Sequence, residues 1–155
     1  MAKPVKIVFL DCDGVISPLA GADSFFKSDC MNRLKAIVEN AGATIVLSSS
    51  WRESEFGRNE VQKRLAQYGI SPFVDCTPRI PAKSRAAEIL AWIESNRSKY
   101  QVVNFVALDD IDLPAGAPDR AFFARHAVVT AGSVGLTDDD VRKAISLLDD
   151  SNNVC

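Results

Sequence analysis

Short apolar runs alternate with amphipathic segments along the chain. Val5 to Leu10 is a β-branched and apolar run that stops at Asp11, the pattern of a strand buried on both faces of a parallel sheet. Thr44 to Leu47, Phe73 to Cys76, Val102 to Leu108 and Ala127 to Thr130 repeat that pattern between polar or turn residues and predict four more strands. Between the runs, apolar residues recur at helical spacing. One stripe is Met31, Leu34, Val38 and Ala41, a second Val61, Leu65 and Tyr68, and a third Ala86, Ile89, Leu90 and Ile93. The last is Val141, Ala144, Ile145 and Leu148, opened by Thr137 as the expected N-cap, with Asp138 to Asp140 at the positive end of the helix. Ser17 to Phe26 and Leu113 to Ala121, rich in Gly, Pro or Ala, read as irregular.

Strands alternating with helices imply right-handed crossovers and a sheet covered on both faces. The expected fold is α/β: a doubly wound three-layer α/β/α sandwich with a mainly parallel five-stranded sheet, forming one domain over residues 1–155. The stretches 14–27 and 77–82 hold a loop or a flap but not a large cap domain, so the site should be open. Ligands of such sheets sit beyond the carboxyl ends of the strands. There the chain reads Asp11-Cys12-Asp13-Gly14, then Ser48-Ser49-Ser50-Trp51-Arg52, then Asp109-Asp110-Ile111-Asp112.

Composition narrows the function. With 155 residues, 47% hydrophobic and 25% charged, the chain should fold, and it has no disordered or fibrous bias. A net charge of -2 lacks the positive excess that unaided binding to phosphate backbones needs. No apolar run approaches a membrane span, and Asp11 and Asp13 cut the first one short of a signal peptide, so a cytoplasmic location is expected. The four cysteines form no C-x-x-C pair and read as thiols, and Cys155, the last residue, does not fit a prenylation signal. A single histidine, His126, makes His-based zinc sites and serine triads improbable and is read as structural.

The remaining chemistry belongs to carboxylates, hydroxyls and cations. If the first and fourth strands are neighbours, Asp11, Asp13, Asp109 and Asp110 converge, and such crowding calls for a hard divalent ion, Mg²⁺ above all. Asp11 and Asp13, two apart in extended chain, point the same way, so that one can attack phosphorus while the other moves protons. Gly14 lets the chain turn beneath them.

Asp11-Cys12-Asp13-Gly14-Val15, a Ser after the second strand, a Lys near a later helix start and Asp109-Asp110 resemble the four ordered motifs of the haloacid dehalogenase (HAD) superfamily. Ser49-Ser50-Trp51-Arg52, Arg85-Ala86-Ala87-Glu88-Ile89, Ala107-Leu108-Asp109-Asp110 and Gly135-Leu136-Thr137 are similar to the small capless HAD domains of Swiss Army Knife RNA-repair proteins. The resemblance implies a Mg²⁺-dependent phosphatase working through an aspartyl-phosphate. Asp11 would be nucleophile and metal ligand. Asp13 would bind metal through its carbonyl and serve as general acid and base, a group that carbon-halide hydrolysis does not need. Ser48 or Ser49 would hold a phosphoryl oxygen, and Lys83, with Arg85 as competitor, would neutralise the phosphoryl charge. Asp109 or Asp110 would complete the metal shell, and Arg52 is either a phosphate ligand or a surface cation. Trp51 is expected in core packing, Cys12 as a spacer under the strand, and Asp112 as a loop cap or a group behind the metal ligands.

The expected substrate is a phosphomonoester such as a nucleotide or a nucleic-acid end, although the net charge does not favour the latter. A homodimer covering the open site is a further expectation. Two other classes compete with it: a catalytically silent binding module, and a receiver-like phosphoacceptor, whose motif order (acidic pair first, Lys last) differs from this one.

Overall fold

The computed structural model describes residues 2–21 and 25–153; Cys155 and part of the segment expected to be irregular lie outside them. Five strands, β1 (Lys3–Leu10), β2 (Ala43–Leu47), β3 (Asp75–Cys76), β4 (Tyr100–Asp109) and β5 (Ala127–Val129), form one sheet in the order β3-β2-β1-β4-β5. Every pairing is parallel. The chain winds outward from β1 in one direction and then in the other, so the reversal lies between β1 and β4.

Side-chain alternation divides the core. Val8 and Leu10 face a cluster with Met31, Leu34, Leu65 and Leu148, from α1 (Ser28–Ala41), α2 (Glu55–Gln67) and α5 (Asp138–Asp149). Ile7 and Phe9 face the other cluster, with Ala86, Ile89 and Trp92 from α3 (Arg85–Ser95) and Phe123 from α4 (Arg120–Ala124). This is the expected doubly wound α/β fold, with no large cap inserted.

Caps fix the helix ends. Thr137 opens α5 as expected, and its side chain and that of Asp140 satisfy each other's backbone N–H groups. Ser84 opens α3 by accepting from Ala87 N. The third strand is shorter than its apolar run because Phe73 is tied to Gln62, whose side chain bonds both its N–H and its carbonyl. The segment read as irregular after β4 contains a 3-10 helix, Leu113–Gly116, and the short α4. Asp112 caps that 3-10 helix, which makes it a loop cap.

His126 is fully buried, stacked on Phe105 at 4.1 Å, and its Nδ1 lies 2.8 Å from Phe105 O. Burial pushes its pKa below the usual 6.5, so the folded state keeps the ring neutral while the unfolded chain takes up the proton. Its contribution to stability is therefore lost as pH falls below 6.5. Thermal melts from pH 7 to pH 5 should show this loss, and the slope should shrink in His126→Gln. Equal slopes in the two proteins would refute the assignment.

Candidate active site at the carboxyl edge

The sheet register builds the site. Leu10 pairs with Leu47 on one side and with Leu108 on the other, so the next residues, Asp11, Ser48 and Asp109, stand level at the carboxyl edge. The ladder continues through them: Asp11 N donates to Leu108 O at 3.0 Å and Ser48 N to Leu10 O at 2.8 Å. All three share the strand face of Phe9, Val46 and Ala107, the face covered by α3. Arg85, the first residue of α3, therefore reaches the two carboxylates, its Nη1 lying 3.3 Å from Asp11 Oδ1 and 3.0 Å from Asp109 Oδ2.

Asp11 and Asp109 are both buried. Burial and the negative charge of Asp109 push the Asp11 pKa up to about 9, with Arg85 pulling the other way. Burial also raises Asp109, against Arg85 and the Ile111 N–H. Burial and mutual repulsion thus oppose ionising both carboxyls together, and Arg85 offsets this only in part.

One carboxylate oxygen from each of Asp11, Asp109 and Asp110 lies within 4.8 Å of the others. Asp110 is seated closely: a Cβ on Gly14 would come within 2.5 Å of its Cγ, and one on Gly132 within 2.9 Å of its Oδ2. Gly14 also has φ 84°, which L side chains rarely adopt. Hard oxygen donors that repel one another fit Mg²⁺, so the residues present suit the ion that the motifs imply. Gly14→Ala should cost about 1–3 kcal/mol through backbone strain and should also displace Asp110. The expected readout is a lower melting temperature together with a smaller Mg²⁺-induced rise; an unchanged Mg²⁺ effect would show that Asp110 tolerates the methyl group.

Ser48 Oγ is buried with no hydrogen-bond partner among the described residues, which leaves its hydroxyl available to a ligand oxygen. Ser49 is already used, since its Oγ accepts from Trp51 N at 3.2 Å and its hydroxyl faces the Cys12 thiol. Cys12 packs in the cluster of Val8 and Leu10, a spacer under the strand as expected. Lys83 lies in the exposed turn ahead of the Ser84 cap and has no ion pair among the described residues, whereas its competitor Arg85 lies against Asp11 and Asp109. Arg52 is buried and so is not a surface cation, and its guanidinium donates to Thr77 O at 3.0 Å, Ser49 O at 2.7 Å and Glu88 Oε1 at 2.9 Å, bonds that brace the loops.

Asp13 stands apart from the carboxylate cluster and is half-buried, with Trp51 Nε1 at 3.4 and 3.3 Å from its two carboxylate oxygens. Trp51, expected in packing alone, therefore also contributes a polar contact at the site. The sequence carried no signal for it, because the ring is aimed by a short 3-10 turn, Ser50–Glu53, that has no periodicity.

A parallel α/β sheet with acidic residues ending β1 and β4, a hydroxyl ending β2 and a cation opening α3 defines a HAD-type, phosphohydrolase-like domain. A family model described as the HAD domain in Swiss Army Knife RNA repair proteins matches residues 7–141, and the chain belongs to that family. No curated protein and no solved structure matches the chain significantly. No helix among the described residues is long and apolar enough to cross a membrane.

Proposed function

We propose that the protein is a Mg²⁺-dependent phosphomonoester hydrolase that works through an aspartyl-phosphate on Asp11. The supporting observation is the level row of Asp11, Ser48 and Asp109, with Arg85 against both carboxylates and the Ser48 hydroxyl without a partner among the described residues. Asp11, Asp109 and Asp110 would hold the ion, with the Asp13 carbonyl as a further ligand implied by the motif. Bound there, Mg²⁺ would supply positive charge that keeps Asp11 ionised and offsets the phosphoryl oxygens.

In the first step an Asp11 carboxylate oxygen bonds to phosphorus, the bond from phosphorus to the leaving oxygen breaks, and the Asp13 carboxyl gives that oxygen its proton. In the second step water attacks phosphorus, Asp13 takes the water's proton, and the bond to Asp11 breaks to release inorganic phosphate. Ser48 Oγ–H and the Arg85 guanidinium bind phosphoryl oxygens in both steps. Without a large cap the site admits a nucleotide, a nucleic-acid end or another accessible phosphoester. Hydrolysis of p-nitrophenyl phosphate should require Mg²⁺ and stop with a chelator. Turnover undiminished by the chelator, or absent from the wild type on a panel of phosphate esters, would refute the reading.

A further inference from the structure

Asp13 must be held if it is to deliver a proton to one oxygen, yet it sits half-buried at a loop, where a carboxylate has several rotamers open to it. Among the described residues one side chain, Trp51, donates to it, and that donor is mounted on a constrained turn. Ser49 Oγ fixes Trp51 N. Next to it, Arg52 is locked by Thr77 O, Ser49 O and Glu88, while Glu88 Oε2 accepts from Ile80 N at 2.8 Å. On the far side α2 packs so closely that a Cβ on Gly57 would overlap Trp51 O. The indole is wedged edge-on against Phe25 at 5.1 Å and Phe26 at 5.3 Å. A buried ion pair is a costly way to brace a surface turn. What the braced turn presents is the indole N–H, shared between both Asp13 oxygens.

We propose that Trp51 is a positioning residue: its indole N–H holds the Asp13 carboxyl in the orientation from which it protonates the leaving oxygen, and the Arg52–Glu88 brace holds Trp51. This role rests on the phosphohydrolase reading above. Trp51 keeps its own proton throughout; the proton transferred is that of Asp13, moving to the leaving oxygen as its bond to phosphorus breaks. The benefit is therefore greatest for leaving groups that need a proton and vanishes for those that do not.

The test is kcat/KM of the full chain with Mg²⁺ on phenyl, p-nitrophenyl and 2,4-dinitrophenyl phosphate, esters that share a ring but differ in leaving-group basicity. General acid catalysis contributes about 10²–10⁴-fold, so Trp51→Phe should lower kcat/KM on phenyl phosphate by about tenfold or more and on the dinitrophenyl ester by less than about threefold. Phe keeps a ring in the wedge. In an Asp13→Ala background the same change should cost nothing further, because Trp51 acts through Asp13. An equal loss on all three esters, or an undiminished loss in the Asp13→Ala background, would reduce Trp51 to packing.

Independently of turnover, the indole N–H proton resonance absent from Trp51→Phe should move in Asp13→Ala, and an unmoved resonance would remove the contact. A wild type active on the series, with Asp11→Asn silent and a flat Trp51→Phe loss, overturns the positioning role alone. A wild type silent on all three esters overturns the phosphohydrolase reading and this role with it.

Discussion

Asp11→Asn should give a protein that has lost phosphatase activity and yet, free of metal, melts at a higher temperature than the wild type. The activity loss should be on the order of 10³-fold or more, since the amide cannot form the acyl-phosphate. The stability gain follows from the same carboxyl. Burial and Asp109 raise the Asp11 pKa from 3.8 to about 9. A carboxyl whose folded pKa lies above its unfolded pKa contributes stability that is fully present below 3.8 and is lost as pH rises toward 9. At pH 8 the metal-free wild type has already lost much of that contribution, whereas Asn is neutral at every pH. For a chain of this size each kcal/mol moves the midpoint by about 2–4 °C, so a rise of a few degrees is expected at pH 8 and little change at pH 4. Mg²⁺ should stabilise the wild type, increasingly so at higher pH, and should stabilise Asp11→Asn much less. A variant that melts no higher than the metal-free wild type at pH 8 would show that Asp11 is not held against its ionised form.

That trade between stability and chemistry was legible in the sequence to the extent that strands define it. The run ending at Asp11 and the run ending at Asp109 are long and apolar, and chirality and layering rules then leave few ways to pair them. The structure makes β1 and β4 neighbours, as the convergence of carboxylates required. Residue-level choices depended on facts that periodicity does not carry. Arg85 and Lys83 differ by two positions, and which one faces Asp11 is set by where α3 begins. Ser84 ahead of the apolar stripe was the N-cap signal that could have placed Arg85 in the first turn. Ser48 and Ser49 differ by one position, and strand alternation sends them to opposite faces, Ser48 to that of Val46 and Ser49 toward Cys12. Trp51 and Arg52 were opaque because a four-residue 3-10 turn, Ser50–Glu53, aims one ring outward to Asp13 and buries the neighbouring guanidinium. Arg52 has its partner, Glu88, on a different element far along the chain, a pairing that no local pattern reports.

That pair should be the most sensitive point of the fold outside the apolar core. Arg52 and Glu88 side chains are only 6% and 8% exposed, so removing one charge strands the other in a poorly solvated site. Glu88→Ala should therefore cost about 3–5 kcal/mol, measured by urea unfolding, since the remaining guanidinium is left buried and uncompensated. It also frees Ile80 N, which Glu88 Oε2 accepts, and so loosens the loop between β3 and α3. Glu88→Gln should be milder, because the amide oxygen can still accept one of those bonds. Arg52→Met combined with Glu88→Leu should recover much of the loss by replacing two desolvated charges with apolar volume, although Thr77 O and Ser49 O then lose their donors. The double variant would remain folded yet release the Ser50–Glu53 turn, separating stability from the aim of the indole. Its phosphatase activity should fall most on esters with basic leaving groups, even where its unfolding free energy approaches that of the wild type. If Glu88→Ala unfolds at the wild-type urea midpoint, the guanidinium has found solvent and the turn is not braced by this pair.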